Sequence, residues 1–187
     1  MRELCVAALV VLLIFSTFSF YSWQKAEREL EVQSAVHEES WSMVYLTVSE
    51  DLFELGHMGE AFEKLLEQNA SEATLIEYAD SYYLNARHVG NVFMFLSYCA
   101  GGDHVKYQKL WGAFEKLESF LLTVMSRVEV DKTGTVRENL ELFKKISNLS
   151  LELYRCGDPR QIPPELAEEL LNATNELKFV YGEEATP

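Results

Sequence analysis

The chain has 187 residues, 48% of them hydrophobic, and a net charge of −14 from 16 basic and 30 acidic side chains. That apolar share supports a folded core and excludes a wholly disordered chain. The acidic surface repels phosphate backbones and anionic lipid, which argues against nucleic acid as a partner; solubility is the ordinary use of such charge.

The first element, Leu4–Trp23, reads LCVAALVVLLIFSTFSFYSW, twenty residues without a charge. A bilayer core of roughly 30 Å needs about 20 apolar residues at 1.5 Å each, and in lipid the backbone must bond within its own segment, so a transmembrane helix is predicted. Phe20, Tyr21 and Trp23 fall at its end, where amphipathic rings favour the headgroup zone, and Lys25 follows. A cleavable signal peptide is the rival reading. Leu4–Phe15 has the length of its apolar region, but Met1-Arg2-Glu3 is short and carries an acid, and no A-x-A pattern follows; Thr17-Phe18-Ser19 is the nearest. Residues 1–23 are therefore read as a retained transmembrane anchor of the uncleaved signal-anchor kind. Arg2 and the terminal amine nearly balance Lys25 and Arg28, so the positive-inside rule alone leaves orientation open.

No Gly or Pro interrupts Leu4 to Leu55, so the helix is predicted to continue through a charged stalk, residues 24–40, into a bundle domain, residues 41–182. Trp41, Val44, Tyr45, Val48, Leu52 and Leu55 recur at steps of three and four and share one face; Gly56 stops them. A short helix, Glu60–Gln68, carries Ala61, Phe62, Leu65 and Leu66. The next runs from about Glu72 to Cys99 with Ile76, Ala79, Tyr83, Ala86, Gly90 and Phe93 on one side; its small residues invite close helix packing. Ala100-Gly101-Gly102 ends it and Asp103 can cap its successor. That successor has a heptad-like stripe, Leu110, Phe114, Leu117, Leu121, Val124 and Val128.

Asp131–Gly134 is predicted as a turn, and Thr135-Val136-Arg137-Glu138 matches a capping box opening a helix that buries Leu142, Ile146, Leu149 and Leu153 and ends at Cys156-Gly157. After a loop, Pro163 and Pro164 open a last helix, Glu165–Tyr181, with Leu166, Leu170, Ala173, Leu177 and Tyr181 as its stripe. Residues 183–187 are expected to fray. No convincing strand alternation appears. The fold class is all-α: a single N-terminal transmembrane helix continuing into an antiparallel helical bundle of about four to five helices.

Cys5 lies in the anchor as a small apolar residue, with acylation the lesser alternative. Cys99 and Cys156 end two helices separated by one more, so those helices should run parallel and bring both cysteines to one end of the bundle. A Cys99–Cys156 disulfide is the expectation in an oxidising compartment, contributing about 4 kcal/mol in the chain-entropy view; two separate buried thiols are the alternative. Three sequons, at Asn69, Asn148 and Asn172, together with the cysteine pair, tip the body toward the outside of the cell membrane, as a single-pass glycoprotein.

Catalytic signatures are sparse. Glu54-Leu55-Gly56-His57 has the Glu-x-x-His spacing of di-iron bundles, but one copy without further inward carboxylates makes no site. His37-Glu38-Glu39 lacks the second His of a zincin, and His88 and His104 have no ligand-spaced partners. No phosphate loop, G-x-S-x-G or C-x-x-C occurs. Glu77, Tyr78, Asp80, Tyr82 and Tyr83 form a polar-aromatic run that suits either core packing or a ligand pocket. The functional expectation is a membrane-anchored interaction or structural module. It meets lipid through Leu4–Trp23 and a protein partner through the bundle, with no cofactor, metal, nucleic acid or catalysis. A sensory or small-ligand-binding bundle using Tyr78, Tyr82 and Tyr83 is the alternative.

Overall fold

A computed structural model describes residues 24, 41–99 and 104–182. The chain divides into two units, residues 1–40 and 41–187, and the elements below belong to the second. The predicted anchor, residues 25–40 of the stalk, the Gly101–Gly102 stop with its Asp103 cap, and the tail 183–187 lie outside the described residues. Among the described residues no helix is long and apolar enough to cross a membrane.

Seven α-helices follow one another there: α1 Ser49–Leu55, α2 Met58–Glu67, α3 Glu72–Cys99, α4 His104–Ser126, α5 Lys132–Glu138, α6 Leu140–Cys156 and α7 Pro164–Asn175, with a 3-10 turn at Pro159–Gln161. Residues 41–46 are helical too. The protein is thus an all-α bundle, with more and shorter helices than the four to five expected. The predicted unbroken run into Leu55 is interrupted at Thr47–Val48. There the Thr47 hydroxyl donates to Val44 O (2.7 Å) and the Ser49 hydroxyl to Leu46 O (2.9 Å), taking carbonyls that the next helical turn would use. Tyr45, Val48, Leu52 and Leu55 are buried as the spacing required.

The longest helices, α3 and α4, run antiparallel: Arg87 faces Glu118, Gly90 meets Phe114, and Phe93 stacks on Tyr107. Ala79, Ala86 and Gly90 are buried in α3, and a Cβ on Gly90 would sit 3.4 Å from Phe114 Cβ, so the small residues do set a close approach. Phe93 and Phe114 stack at 5.9 Å and Tyr45 meets Phe93 edge-on, building an aromatic centre that joins the first turns to this pair. In α4, Leu110, Phe114, Leu117, Leu121 and Val124 are buried; Val128 is 91% exposed because the helix stops at Ser126.

On the other side, α6 packs against α1 and α2. Ser147, buried on α6, ties them together: its hydroxyl accepts from Gly59 N (2.9 Å) and donates to Leu55 O (3.0 Å). Those two groups flank the turn at Gly56 and have no helical partner of their own. Lys144 reaches Glu63 at 2.6 Å from the same face. On α6, Ile146, Leu149 and Leu153 are buried as expected, with Phe143 taking the place predicted for the half-buried Leu142.

Two boundaries differ from expectation. The chain enters α5 at Asp131, whose carboxylate accepts from Gly134 N (2.9 Å), so residues 132–134 are helix and the capping box at Thr135 goes unused. The last helix does begin at Pro164, but it ends at Asn175 instead of reaching Tyr181. Residues 177–180 have no regular helical or strand assignment, and Tyr181 bridges antiparallel to Val130. Phe179, Val180 and Tyr181 favour extended backbone, and their polar groups find better partners than a further helical turn. Asn139 donates to Lys178 O (2.7 Å) and accepts from Lys178 N (2.9 Å). The Thr135 hydroxyl accepts from Val180 N (2.9 Å) and donates to Val180 O (3.2 Å). Asp131 N donates to Val180 O and Gly182 N to Glu129 O.

Candidate functional site

Residues on one helix diverge by about 100° each, so near neighbours in sequence need not converge. The run on α3 illustrates this. Tyr82 is buried, edge-on to Phe62 at 5.6 Å, and burial followed by the nearby Glu54 carboxylate pushes its hydroxyl pKa up to about 12. Tyr83 is half-buried with Arg87 3.5 Å from its hydroxyl, while Glu77 and Asp80 are exposed. Tyr78 lines an open groove of about 320 Å³ with His57, Glu60, Ala61, Lys64 and Gln68. Within that groove Lys64 and Glu60 are paired at 2.7 Å, and His57 is turned to Phe53 O (2.8 Å). The groove therefore offers an aromatic edge and a neutralised ion pair.

A second cluster occupies the end of the bundle where Trp41 enters. Trp41 packs edge-on to Tyr107 at 5.9 Å, and the Tyr45 hydroxyl donates to Leu153 O at 2.5 Å. Lys106 lies 4.9 Å from the centroid of the Tyr107 ring and donates to Arg160 O (3.4 Å). Burial, then the Cys156 thiol, drive the Tyr45 pKa far up, so this hydroxyl is a fixed donor. Cys99 closes α3 just before α4 begins, and Cys156 closes α6 within the field of Lys106 on α4. Both cysteines thus sit toward one end of the bundle, half-buried, and the structure does not join them in the expected Cys99–Cys156 bond. Burial, then Glu152, push the Cys156 thiol pKa up against the pull of Lys106, which makes it a slow nucleophile.

Asp158 pairs with Arg160 in the loop beyond α6. Its carboxylate accepts from the Arg160 guanidinium (2.6 Å) and from Arg160 N (2.9 Å), and these bonds hold its pKa below the usual 3.8 against the effect of burial. A pKa lower in the folded than in the unfolded chain stabilises the fold above the unfolded value, and that stabilisation disappears as pH falls through the lowered one. Asp158→Asn is therefore expected to flatten the acid limb of stability below about pH 4, read from urea midpoints across pH 2.5–6. An unchanged acid limb would show that the pair contributes nothing.

The three sequon asparagines, Asn69, Asn148 and Asn172, are all exposed. Asn69 occupies a turn at φ 51°, and Ser71 beyond it caps α3 by accepting from Thr74 N (3.2 Å). Asn148 and Asn172 project from α6 and α7, with their partners Ser150 and Thr174 buried. Comparison with protein families, curated proteins and solved structures found no match. Among the described residues no group of three or more His, Cys, Asp or Glu side chains is placed to hold a metal ion.

Several groups brought together here had no signal in the sequence. His88 and Asp51, 2.7 Å apart, join α3 to α1 across 37 positions. Thr135 fits a helix cap in the sequence and Asn139 carries no signal there, yet together they bond the backbone of Lys178 and Val180. No spacing rule links a side chain to a backbone some 40 residues away.

Proposed function

We propose that the protein is a single-pass membrane module whose helical body, outside the cytoplasm, binds another protein or serves as a structural element. The uncharged run Leu4–Trp23 carries this reading, being long enough for a bilayer core and ending in interfacial aromatics. The exposure of Asn69, Asn148 and Asn172 supports the orientation, since a glycan at any of them would meet solvent. The shared end of Cys99 and Cys156 is compatible with a disulfide there, formed as a thiol oxidant of that compartment takes up two electrons and two protons.

Intact mass of the membrane-extracted chain, with and without deglycosylation and reductant, tests these points together. The expected result is residue 1 retained, added mass removed by the glycosidase, and two daltons gained on reduction. A full-length chain without glycan or disulfide would defeat the extracytoplasmic assignment.

The groove beside Tyr78 supports a second reading, a small-ligand-binding bundle. A thermal-shift panel of small polar and aromatic compounds separates the two. A shift abolished by Tyr78→Ala would favour ligand binding.

A further inference from the structure

Asparagine glycosylation needs two groups of one sequon at once: the carboxamide that takes the sugar, and the hydroxyl two residues on that the transferring enzyme reads. Helical geometry sets these against each other. Residues i and i+2 diverge by about 200° around a helix, so a sequon whose Asn faces water on an amphipathic helix turns its hydroxyl inward. Asn148 and Ser150 on α6 obey this, as do Asn172 and Thr174 on α7. Both asparagines are exposed, while Ser150 is 0% and Thr174 5% exposed. The Thr174 hydroxyl is also engaged, 3.1 Å from both Leu170 O and Leu171 O.

Ser150 adds a second observation. Its buried hydroxyl has no hydrogen-bond partner among the described residues. A buried hydroxyl left unpaired weakens a fold, so packing gives no account of a serine there. The sequon does, provided the hydroxyl is read before the core closes over it. Asn69 differs from both helical sites. Residues 68–71 connect α2 to α3 outside either helix, Asn69 stands at φ 51°, and both it and Ser71 are exposed.

We infer that Asn148 and Asn172 accept glycan only while α6 and α7 are unfolded, and that Asn69 accepts it on the folded body as well. The donor is a glycan carried on a lipid diphosphate. Transfer forms a bond from the Asn Nδ2 to the anomeric carbon and breaks the bond from that carbon to the diphosphate, which leaves as one amide proton is given up. A chain that folds before it meets the enzyme then carries glycan at Asn69 alone. The inference rests on the extracytoplasmic reading for its occurrence in the cell, but its test does not.

The full-length chain, made without glycan and folded in detergent, is offered to a purified oligosaccharyltransferase with a lipid-linked chitobiose donor. A tryptic digest of the same chain is offered in parallel. Cleavage after Lys64 and Arg87, Lys145 and Arg155, and Arg160 and Lys178 leaves each sequon on its own unfolded peptide. Peptide mass gives the occupancy of each site. Asn69 is expected to be glycosylated in both samples. Asn148 and Asn172 are expected to be occupied roughly tenfold or more in the digest over the folded chain, which offers them only when its helices open. Comparable occupancy of Asn148 or Asn172 in the two samples overturns the inference. So does an Asn69 left unmodified on the folded chain, or no transfer to Asn148 or Asn172 even in the digest. Failure of the extracytoplasmic reading shows separately, as a cell-derived chain without glycan whose sites still behave this way with the purified enzyme.

Discussion

Gly59→Ala is expected to cost about 3 kcal/mol of folding stability, the upper part of the range for overpacking a filled interface. A Cβ on Gly59 would lie 2.6 Å from Lys144 Cα and 2.7 Å from Lys144 N. Both are backbone atoms of α6, so no side chain can rotate away and the two helices must separate. Separation also stretches the bond from Gly59 N to the buried Ser147 hydroxyl, which in turn holds Leu55 O. An N–H left unpaired in that position has no water to turn to, at a cost of about 1–3 kcal/mol. Gly56 is a useful contrast. There the closest contacts are Leu151 Cγ and Cδ2 at 2.4 Å, side-chain atoms that can shift where a helix backbone cannot, with Phe53 O at 3.0 Å, so Gly56→Ala is expected to be the milder change. Urea unfolding followed by helical circular dichroism measures both, and a Gly59→Ala midpoint equal to that of the parent chain would refute the close approach of α2 and α6.

Asn139→Ala is expected to cost about 2–3 kcal/mol and to release the C-terminal strand. Asn139 is 1% exposed and bonds in three directions, to Thr135 O (2.7 Å), Lys178 O (2.7 Å) and Lys178 N (2.9 Å). Alanine keeps none of these. Water can reach part of the Lys178 backbone once the strand lifts, which keeps the loss below the sum of three buried bonds. The sharper readout is local: the amides of Lys178 and Val180 are expected to lose hydrogen-exchange protection while those of α3 and α4 keep theirs. Thr135→Val should loosen Val180 more than Lys178, since the Asn139 clasp remains. Equal protection of Lys178 in the Asn139→Ala and parent chains would show that the side chain does not hold the strand.

Much of this architecture can be read from spacing. The limits of α3, the small-residue side that admits α4, the apolar stripe of α4 and the start of α7 at Pro164 all follow from patterns within a few residues. A helix is a local object: its hydrogen bonds span four positions and its buried face repeats every 3.6, so its signal fits inside a short window. What only the tertiary structure decided is where a local preference meets a competitor from elsewhere in the chain. Tyr78, Tyr82 and Tyr83, one sequence cluster, go to a groove rim, the core and a half-buried flank, because the neighbours packed around α3 differ on each side. Helical periodicity carries on through Leu177 and Tyr181, yet the backbone leaves the helix at Asn175 for partners on Thr135, Asn139 and residues 129–131. Those partners lie some 40–50 positions away, and a choice between two hydrogen-bonded arrangements of similar local merit is made by which one the folded body can also bury.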